Sequence, residues 1–385
     1  MPNMYFDFAA ATPLDLDVKE AMLPYLEDFY ANPSALYSVG QLAKNALEDA
    51  RNSVAQVIGA SSREIIFTGS GTEANNLAIF GIANAGGRTK GHIITTVIEH
   101  KSVLEPARAL ERRGFEVSYL SVDSDGQISI DELRGALRND TILVAIVYAN
   151  NEIGTVQNIV EIGREIKNFG GAIFHIDACQ AANYLSVDVK ELGVDSMSLN
   201  SSKIYGPKGV GMLYVRDGVE LEPQIIGGGQ ERGRRSGTEN LSGIVGFSKA
   251  LTVAQELRVE ESARLTLLKN QLIDGVISTI PDVHLNGSRH LRLPNNINFS
   301  FKGIEGEALL SALDDLGVAV ASGSACGSQE VGSSHVIKAI KVSEEFASSA
   351  TRITLGRQTT TEDIEYLLEI LPKVVETLRK ESVFG

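Results

Sequence analysis

The run Thr141–Tyr148, TILVAIVY, restricts the fold more than any other stretch of this chain. It is apolar at nearly every position, so a strand here has no face to give to water. Such a strand must be covered on both sides, as in a parallel sheet flanked by helices. The region from about residue 39 to 215 agrees. Gln41–Ile58, Thr72–Asn84, Val103–Arg113 and Glu161–Phe169 read as helices. Glu64–Phe67, His92–Thr96, Ala172–Ile176, Ser196–Leu199 and Gly211–Val215 read as strands. The alternation predicts an α/β sheet that is mostly parallel.

From about Glu239 the pattern changes. A long helical stretch runs to about Thr279, and the reading allows a break near Leu257. Strands at Asn296–Phe301, Val318–Ala321 and Arg352–Leu355, a helix at Glu307–Leu316 and a terminal helix from Thr361 follow. These predict a second, smaller α+β domain. The boundaries expected are 14–250 for the large domain and 251–385 for the small one, with the N-terminal arm 1–13 joined to the latter. A length of 385 residues, 43% of them hydrophobic, is enough for two sizeable cores.

Charge and cysteine usage narrow the functional classes. The net charge of −14 argues against broad nucleic-acid binding, which needs a basic surface. No apolar run approaches the ~20 residues of a membrane span, and the start MPNMYFDFAAATP has no basic segment followed by a long apolar one. A cytoplasmic location is expected. The two cysteines, Cys179 and Cys326, cannot build a disulfide framework and lack zinc-finger spacing.

Three segments carry chemistry. FTGSGTEANN, Phe67–Asn76, reads as strand, glycine-rich turn and helix start, with Thr72 able to cap the helix. Helix N–H groups and the dipole there suit a phosphate, although a capped turn without a ligand fits as well. HIDACQ, His175–Gln180, ends a buried strand with Asp177, at the carboxyl edge where α/β sheets meet ligands. SSKIYGPKG, Ser201–Gly209, places Lys203 on a turn after the next strand. A phosphate cup, a strand-end carboxylate and a lysine are the three parts a pyridoxal 5′-phosphate site requires.

The resemblance that follows is to a family. In order along the chain stand YFDFAAATP, NPSALYSVG, FTGSGTEANNLAI, IEHKSVLEP, NNEIGTVQ, HIDACQ, SSKIYGPKGVG, GGGQERGRRSGTEN, SGSACGS and RITLGR. With these the chain resembles the cysteine desulfurases of the NifS/IscS type, in the class V aminotransferase family. The resemblance implies the pyridoxal-phosphate transferase fold of type I, with a mostly parallel seven-stranded sheet in the large domain. It implies that Lys203 holds the cofactor as a Schiff base and moves protons at the substrate Cα. His100 would stack on the ring and assist proton transfer. Asp177 would pair with the ring nitrogen, and Gln180 would bond the phenolic oxygen. Asn151 would contact that oxygen or the substrate carboxylate. Gly71, Thr72, Asn200 and Ser202 would hold the phosphate, together with Thr238 from a neighbouring subunit, which implies a homodimer. Arg352 would clamp the carboxylate of L-cysteine.

Cys326, in SGSACGS, would be the nucleophile that takes sulfur from L-cysteine as a persulfide and leaves L-alanine. The resemblance extends to delivery of that sulfur to an acceptor protein, an iron–sulfur scaffold or a thiolation enzyme, and to Cys326 as a transient iron–sulfur ligand. Rival readings are a selenocysteine lyase or another class V enzyme, a desulfurase dedicated to DNA phosphorothioation, and a non-catalytic binding partner.

Three departures from the family pattern stand out. Ser202 replaces the usual His before the lysine, and Asn200 replaces the usual Ser or Thr three positions before it. The longer tail by which some members dock an iron–sulfur scaffold is not matched after LRKESVFG. Ser202 and Asn200 can still donate hydrogen bonds, but the charge-assisted bond of a His is gone. Ser202→His is therefore expected to slow release of the cofactor, followed as loss of bound chromophore on dilution. Unchanged retention would contradict a weakened phosphate grip.

Overall fold

The computed structural model describes residues 4–322 and 334–382. Its main sheet has seven strands in the spatial order Ile65–Thr68, Gly211–Val215, Ser196–Asn200, Ile173–Asp177, Thr141–Val147, His92–Thr96 and Glu116–Leu120. Gly211–Val215 runs antiparallel to both its neighbours, and every other pairing is parallel. The edge strand Glu116–Leu120, EVSYL, does not stand out in the sequence. It is only partly buried, so it lacks the apolar run of its central neighbours.

Both faces of the central strand are filled, as its composition demands. Leu143 and Ala145 pack with Leu77, Ala78 and Leu110, from the helices Gly71–Asn84 and Lys101–Glu111. Val144 and Ile146 point the other way, toward Leu47, Ile162 and Phe247. Side chains alternate between faces with period two, so one apolar run serves two cores.

A second sheet holds Ala321–Ser322, Thr351–Thr354, Asn296–Phe301 and Val283–Leu285, all antiparallel. Its core gathers Phe299, Phe301 and Ile353 against Leu309 and Leu313 and against Leu367 and Leu371 of the terminal helix Thr361–Ser382. The N-terminal arm joins this second body. Met4–Tyr5 pairs in parallel with Val318–Ala319, and Phe6 enters its core.

One helix, Leu241–Thr279, enters both cores. Phe247, Leu251 and Ala254 pack under the large sheet, and Leu265, Leu268, Leu272 and Val276 pack in the second core. There is no break near Leu257. The stretch AQELRVEESAR contains neither Gly nor Pro and is rich in strong helix formers. What changes there is the partner of the buried face, and the helix itself continues.

The segment 227–240 is pinned to the large body by a buried ion pair. Arg51 donates through both terminal nitrogens to Glu231, at 2.7 and 2.8 Å, and the Phe67 amide donates to the same carboxylate at 2.9 Å. Neither partner reaches water, so removing one strands the other. Glu231→Ala is expected to lower unfolding stability by roughly 3–5 kcal/mol, the scale for breaking a buried pair. Urea unfolding checks this, and a loss below about 1 kcal/mol would contradict it.

Candidate active site

The strand Ile65–Thr68 turns through Gly69 and Ser70 into the helix Gly71–Asn84. The helix cap is Ser70, whose backbone is extended and whose Oγ accepts from the Glu73 amide at 3.1 Å. Thr72 therefore lies inside the first turn, where its amide is among the unpaired donors of a helix start. Glu73 reaches back to accept from the Gly69 amide at 2.8 Å and pairs with Arg235 at 2.7 Å. Gly71 is required by close approach: a Cβ there would sit 2.6 Å from Cys179 Sγ and 3.1 Å from Asn200 Cβ. The helix start thus meets the turns that follow two central strands.

Those strands deliver the polar groups. Val147 and Asp177 are paired neighbours at the carboxyl ends of their strands, and Asp177 also pairs with Ser198. A cavity of about 770 Å³ opens at this edge. Gly71, Thr72, His100, Asn151, Asp177, Gln180, Asn200, Lys203 and Arg352 all line it. The fold brings together residues spread over most of the sequence.

Two of the expected residues do not line this cavity. Ser202 accepts from the Thr12 amide at 3.0 Å through its backbone oxygen, and its hydroxyl lies 3.5 Å from Asn200 Oδ1. Thr238 is exposed on the segment that Glu231 pins. Cys326 falls outside the described residues.

Each lining side chain is held by neighbours. Asp177 accepts from Asn75 Nδ2 at 2.7 Å and from the Cys179 amide at 3.0 Å. The N-terminal arm forms one wall, where the Ala9 carbonyl accepts from Gln180 at 3.0 Å and the Ala10 carbonyl accepts from Lys203 Nζ. Arg352 pairs with Asp7 at 2.7 Å and donates to the Asn151 carbonyl at 3.1 Å. Its Nε is buried without a hydrogen-bond partner. The guanidinium is thus oriented by the arm and by the loop after the central strand.

Burial sets the protonation of the groups behind this wall. Glu99 accepts from Thr96 Oγ1 at 2.7 Å and the Val147 amide at 2.9 Å, yet its second oxygen has no partner. Desolvation pushes its pKa up to about 8, against which those hydrogen bonds work, and the charge of Asp177 adds to the rise. Glu152 is raised to about 7 by burial, with the Ser334 hydroxyl at 2.6 Å and the charge of Arg352 pulling the other way. His175 is lowered to about 4 by burial, so it is neutral. Burial, followed by Asp177, holds the Cys179 thiol protonated.

The donor set fits pyridoxal 5′-phosphate. One cavity holds a lysine amine, a carboxylate that accepts two N–H bonds, and an open helix N-terminus whose glycine permits close approach. These are an amine for covalent attachment, an anion for a protonated ring nitrogen and a cradle for a phosphate. Fold and cavity define the class, a pyridoxal-phosphate enzyme of fold type I.

Comparison with known proteins agrees and narrows the class. The aminotransferase class-V family model matches residues 4–367. The chain is 48% identical over 382 residues to "Cysteine desulfurase IscS" of Dictyoglomus turgidum, covering 99% of this chain and 97% of that protein. Among solved structures it resembles a NifS-like protein with a TM-score of 0.92 at 36% identity, covering 97% of this chain and all of that one. It also resembles SspA in complex with cysteine, with a TM-score of 0.81 at 38% identity, covering 92% and 99% of the two chains. The chain belongs to the class-V aminotransferase family, among its cysteine desulfurases. Its cofactor is pyridoxal 5′-phosphate and its reaction the desulfuration of cysteine.

Sequence reasoning passed over three buried residues: Asn75, in the cavity wall, and Glu99 and Glu152, outside its lining. Their signal was weak, because each stands beside another polar residue, in ANNLAI, VIEH or NNEIG. What could not be seen was the partner each one faces. Glu99 yields a pH prediction with a definite sign. In the folded chain it holds its proton to about pH 8, and its reference value is 4.5. The folded state therefore binds more protons over this interval, and stability falls as pH rises through it. The buried His175 acts in the opposite sense only below its reference value of 6.5. Between pH 6.5 and 8 the parent chain is expected to lose more stability than Glu99→Gln, read from urea midpoints. Parallel curves would contradict the buried, protonated Glu99.

Proposed function

We propose that this chain acts as a homodimeric cysteine desulfurase in which Lys203, His100 and Cys326 are the catalytic residues and the sulfur is held as a persulfide on Cys326. The observation that carries the reading is the convergence of Lys203, Asp177, His100 and Arg352 on one cavity at the carboxyl edge of the large sheet.

The residues divide the work by their chemistry. Arg352, oriented by Asp7, takes the carboxylate of L-cysteine with its planar guanidinium. Asn151 stands beside it, and Arg352 donates to its backbone carbonyl. Asp177 holds a negative charge at the strand end, stabilised by two N–H donors. Gly71, Thr72 and Asn200 would hold the phosphate, with Ser202 next to Asn200 but outside the cavity lining, and Gln180 would bond the ring oxygen. The cofactor, when bound, supplies an electron sink for the electrons released at the substrate Cα. Lys203 removes and returns protons through Nζ, and His100, which lines the same cavity, assists. The Cys326 thiolate attacks the substrate sulfur. The sulfur–Cβ bond breaks, its electron pair stays with Cβ, and protonation there yields L-alanine. The sulfur remains on the enzyme as Cys326–S–SH, so atoms balance without an external oxidant.

Two features support a homodimer. Thr238 is held away from its own cavity on an exposed segment anchored by Arg51–Glu231 and Arg235–Glu73, which suits it to a phosphate bound by the partner. Tyr30, Leu36 and Ile226 are 79%, 93% and 86% exposed, apolar surface of the kind a partner subunit covers. Among the described residues no helix is long and apolar enough to cross a membrane. We place the enzyme in the cytoplasm, with a sulfur acceptor protein of the iron–sulfur or thiolation type and with Cys326 as a transient cluster ligand during transfer.

Cys326→Ser tests the central claim. Alanine production from L-cysteine is expected to fall by at least about a thousandfold, the scale of losing a nucleophile, while the protein stays yellow with bound cofactor. Transfer of labelled sulfur to any acceptor should vanish as well. Alanine formation at the parent rate would instead favour a lyase that does not use this thiol.

A further inference from the structure

In the wall of the cavity, one buried amide touches three polar side chains. Asn75 lies on the second turn of the helix Gly71–Asn84 and is fully buried among Ala74, Leu77 and Ala78. Its Nδ2 donates to Asp177 Oδ2 at 2.7 Å and to Ser102 Oγ at 2.8 Å, which uses both of its protons. Its Oδ1 lies 3.2 Å from Nε2 of His175, whose other ring nitrogen is 3.0 Å from Ser196 Oγ. The amide orientation is decided by Asp177: a carboxylate only accepts, so the group facing it must be the NH₂.

The direction of every bond then follows. Burial keeps His175 neutral, and the oxygen of Asn75 needs a donor, so His175 carries its proton on Nε2 and accepts from Ser196 through Nδ1. Ser102 Oγ already accepts from Asn75, so its hydroxyl proton is directed to His100 Nδ1, 2.7 Å away. The Ser102 amide donates to the same nitrogen at 3.0 Å. A ring nitrogen that accepts twice cannot carry a proton, so neutral His100 has its proton on Nε2.

We propose that Asn75 is the positioning residue of this site, a single side chain that holds Asp177 directly and His100 through Ser102. The proposal rests on the reading of Asp177 and His100 as the groups that face the cofactor, and it adds the coupling between them. A chain of bonds with one allowed polarity keeps both groups oriented before substrate arrives, so no reorganisation is needed during the reaction. Although Asn75 borders the cavity, both protons of its amide and its oxygen are engaged with protein groups. Its effect passes entirely through the two groups it holds.

Two variants separate the branches. Ser102→Ala removes the hydroxyl link to His100 and leaves the bond between Asn75 and Asp177. Asn75→Ala removes the bonds to Asp177 and to Ser102 Oγ, so the Ser102 hydroxyl is no longer directed to His100 from behind. The readouts are the rate of cofactor release from the holoenzyme and the ring-nitrogen NMR signals of His100, assigned by their loss in His100→Gln. In Ser102→Ala the His100 Nδ1 signal is expected to move toward that of an unbonded ring nitrogen, with release within about twofold of the parent, since no bond to a charged group is lost. In Asn75→Ala the same signal moves, and release is faster by roughly tenfold, the scale of losing one hydrogen bond to an ionised group. Should Asn75→Ala fail to fold, Asn75→Asp keeps the volume. Its single carboxyl proton can serve Asp177 but not Ser102 as well, so the His100 signal is still expected to move. An unmoved His100 signal in the Asn75 variant, or a release rate in Asn75→Ala equal to that of Ser102→Ala, overturns the inference. Unchanged release in Asp177→Ala would instead overturn the reading of Asp177 itself, while the His100 signal still decides the role of Asn75.

Discussion

Everything in this chain depends on strands that are covered on both faces. Thr141–Val147 and Ile173–Asp177 lie in the middle of a parallel sheet, with side chains packed above and below. Such strands leave little room for polar chemistry along their length. Polar groups concentrate where the strands end and their backbone opens into loops. Asp177 is the last residue of its strand, and Asn151 and Lys203 follow their strands within a few residues. The active cavity is the consequence of a sheet that is apolar everywhere else.

The second dependence is mechanical. Leu241–Thr279 enters the cores of both bodies, so the large sheet and the small sheet share one rigid element. Arg352 sits on the small sheet, paired with Asn298 in register, yet its side chain reaches the cavity at the carboxyl edge of the large sheet. Asp7 of the N-terminal arm holds it there, and the neighbouring Ala9 and Ala10 cap Gln180 and Lys203. An arm of a dozen residues thus links Arg352 to Lys203 across the cavity. The buried carboxyls Glu99 and Glu152 lie under this junction, where desolvation, more than any ion pair, governs their protons.

Much of this was legible from residue patterns, and the exceptions are instructive. Elements buried on both faces, such as His92–Thr96, Gly211–Val215 and Asn296–Phe301, have the same bounds in the structure as in the sequence reading. Each carries a run of β-branched, aromatic or other apolar residues, at successive or alternating positions, and is bounded by loop residues. Glu116–Leu120 escaped notice because an edge strand has no such run. The continuity of the long helix through Leu257 was ambiguous because the buried face changes partners there, and a change of partner imitates a break. Thr72 reads as a cap as well as Ser70 does, and only the extended backbone of Ser70 decides between them.

By itself the sequence determined the class of the sheet, the order of its elements and the candidacy of Lys203 and Asp177, while Arg352 entered only through the family resemblance. Periodicity and strand-end chemistry are local properties, carried by neighbours along the chain. Tertiary structure alone decided that Asn75, Ser102 and His100 share one chain of bonds with Asp177. It also decided that Gly71 lies against Cys179, that Ser202 turns its backbone to the arm, and that burial raises the pKa of Glu99. These depend on distances between residues far apart in sequence and on the exclusion of water around them. Such distances exist only once the sheet has closed over its helices.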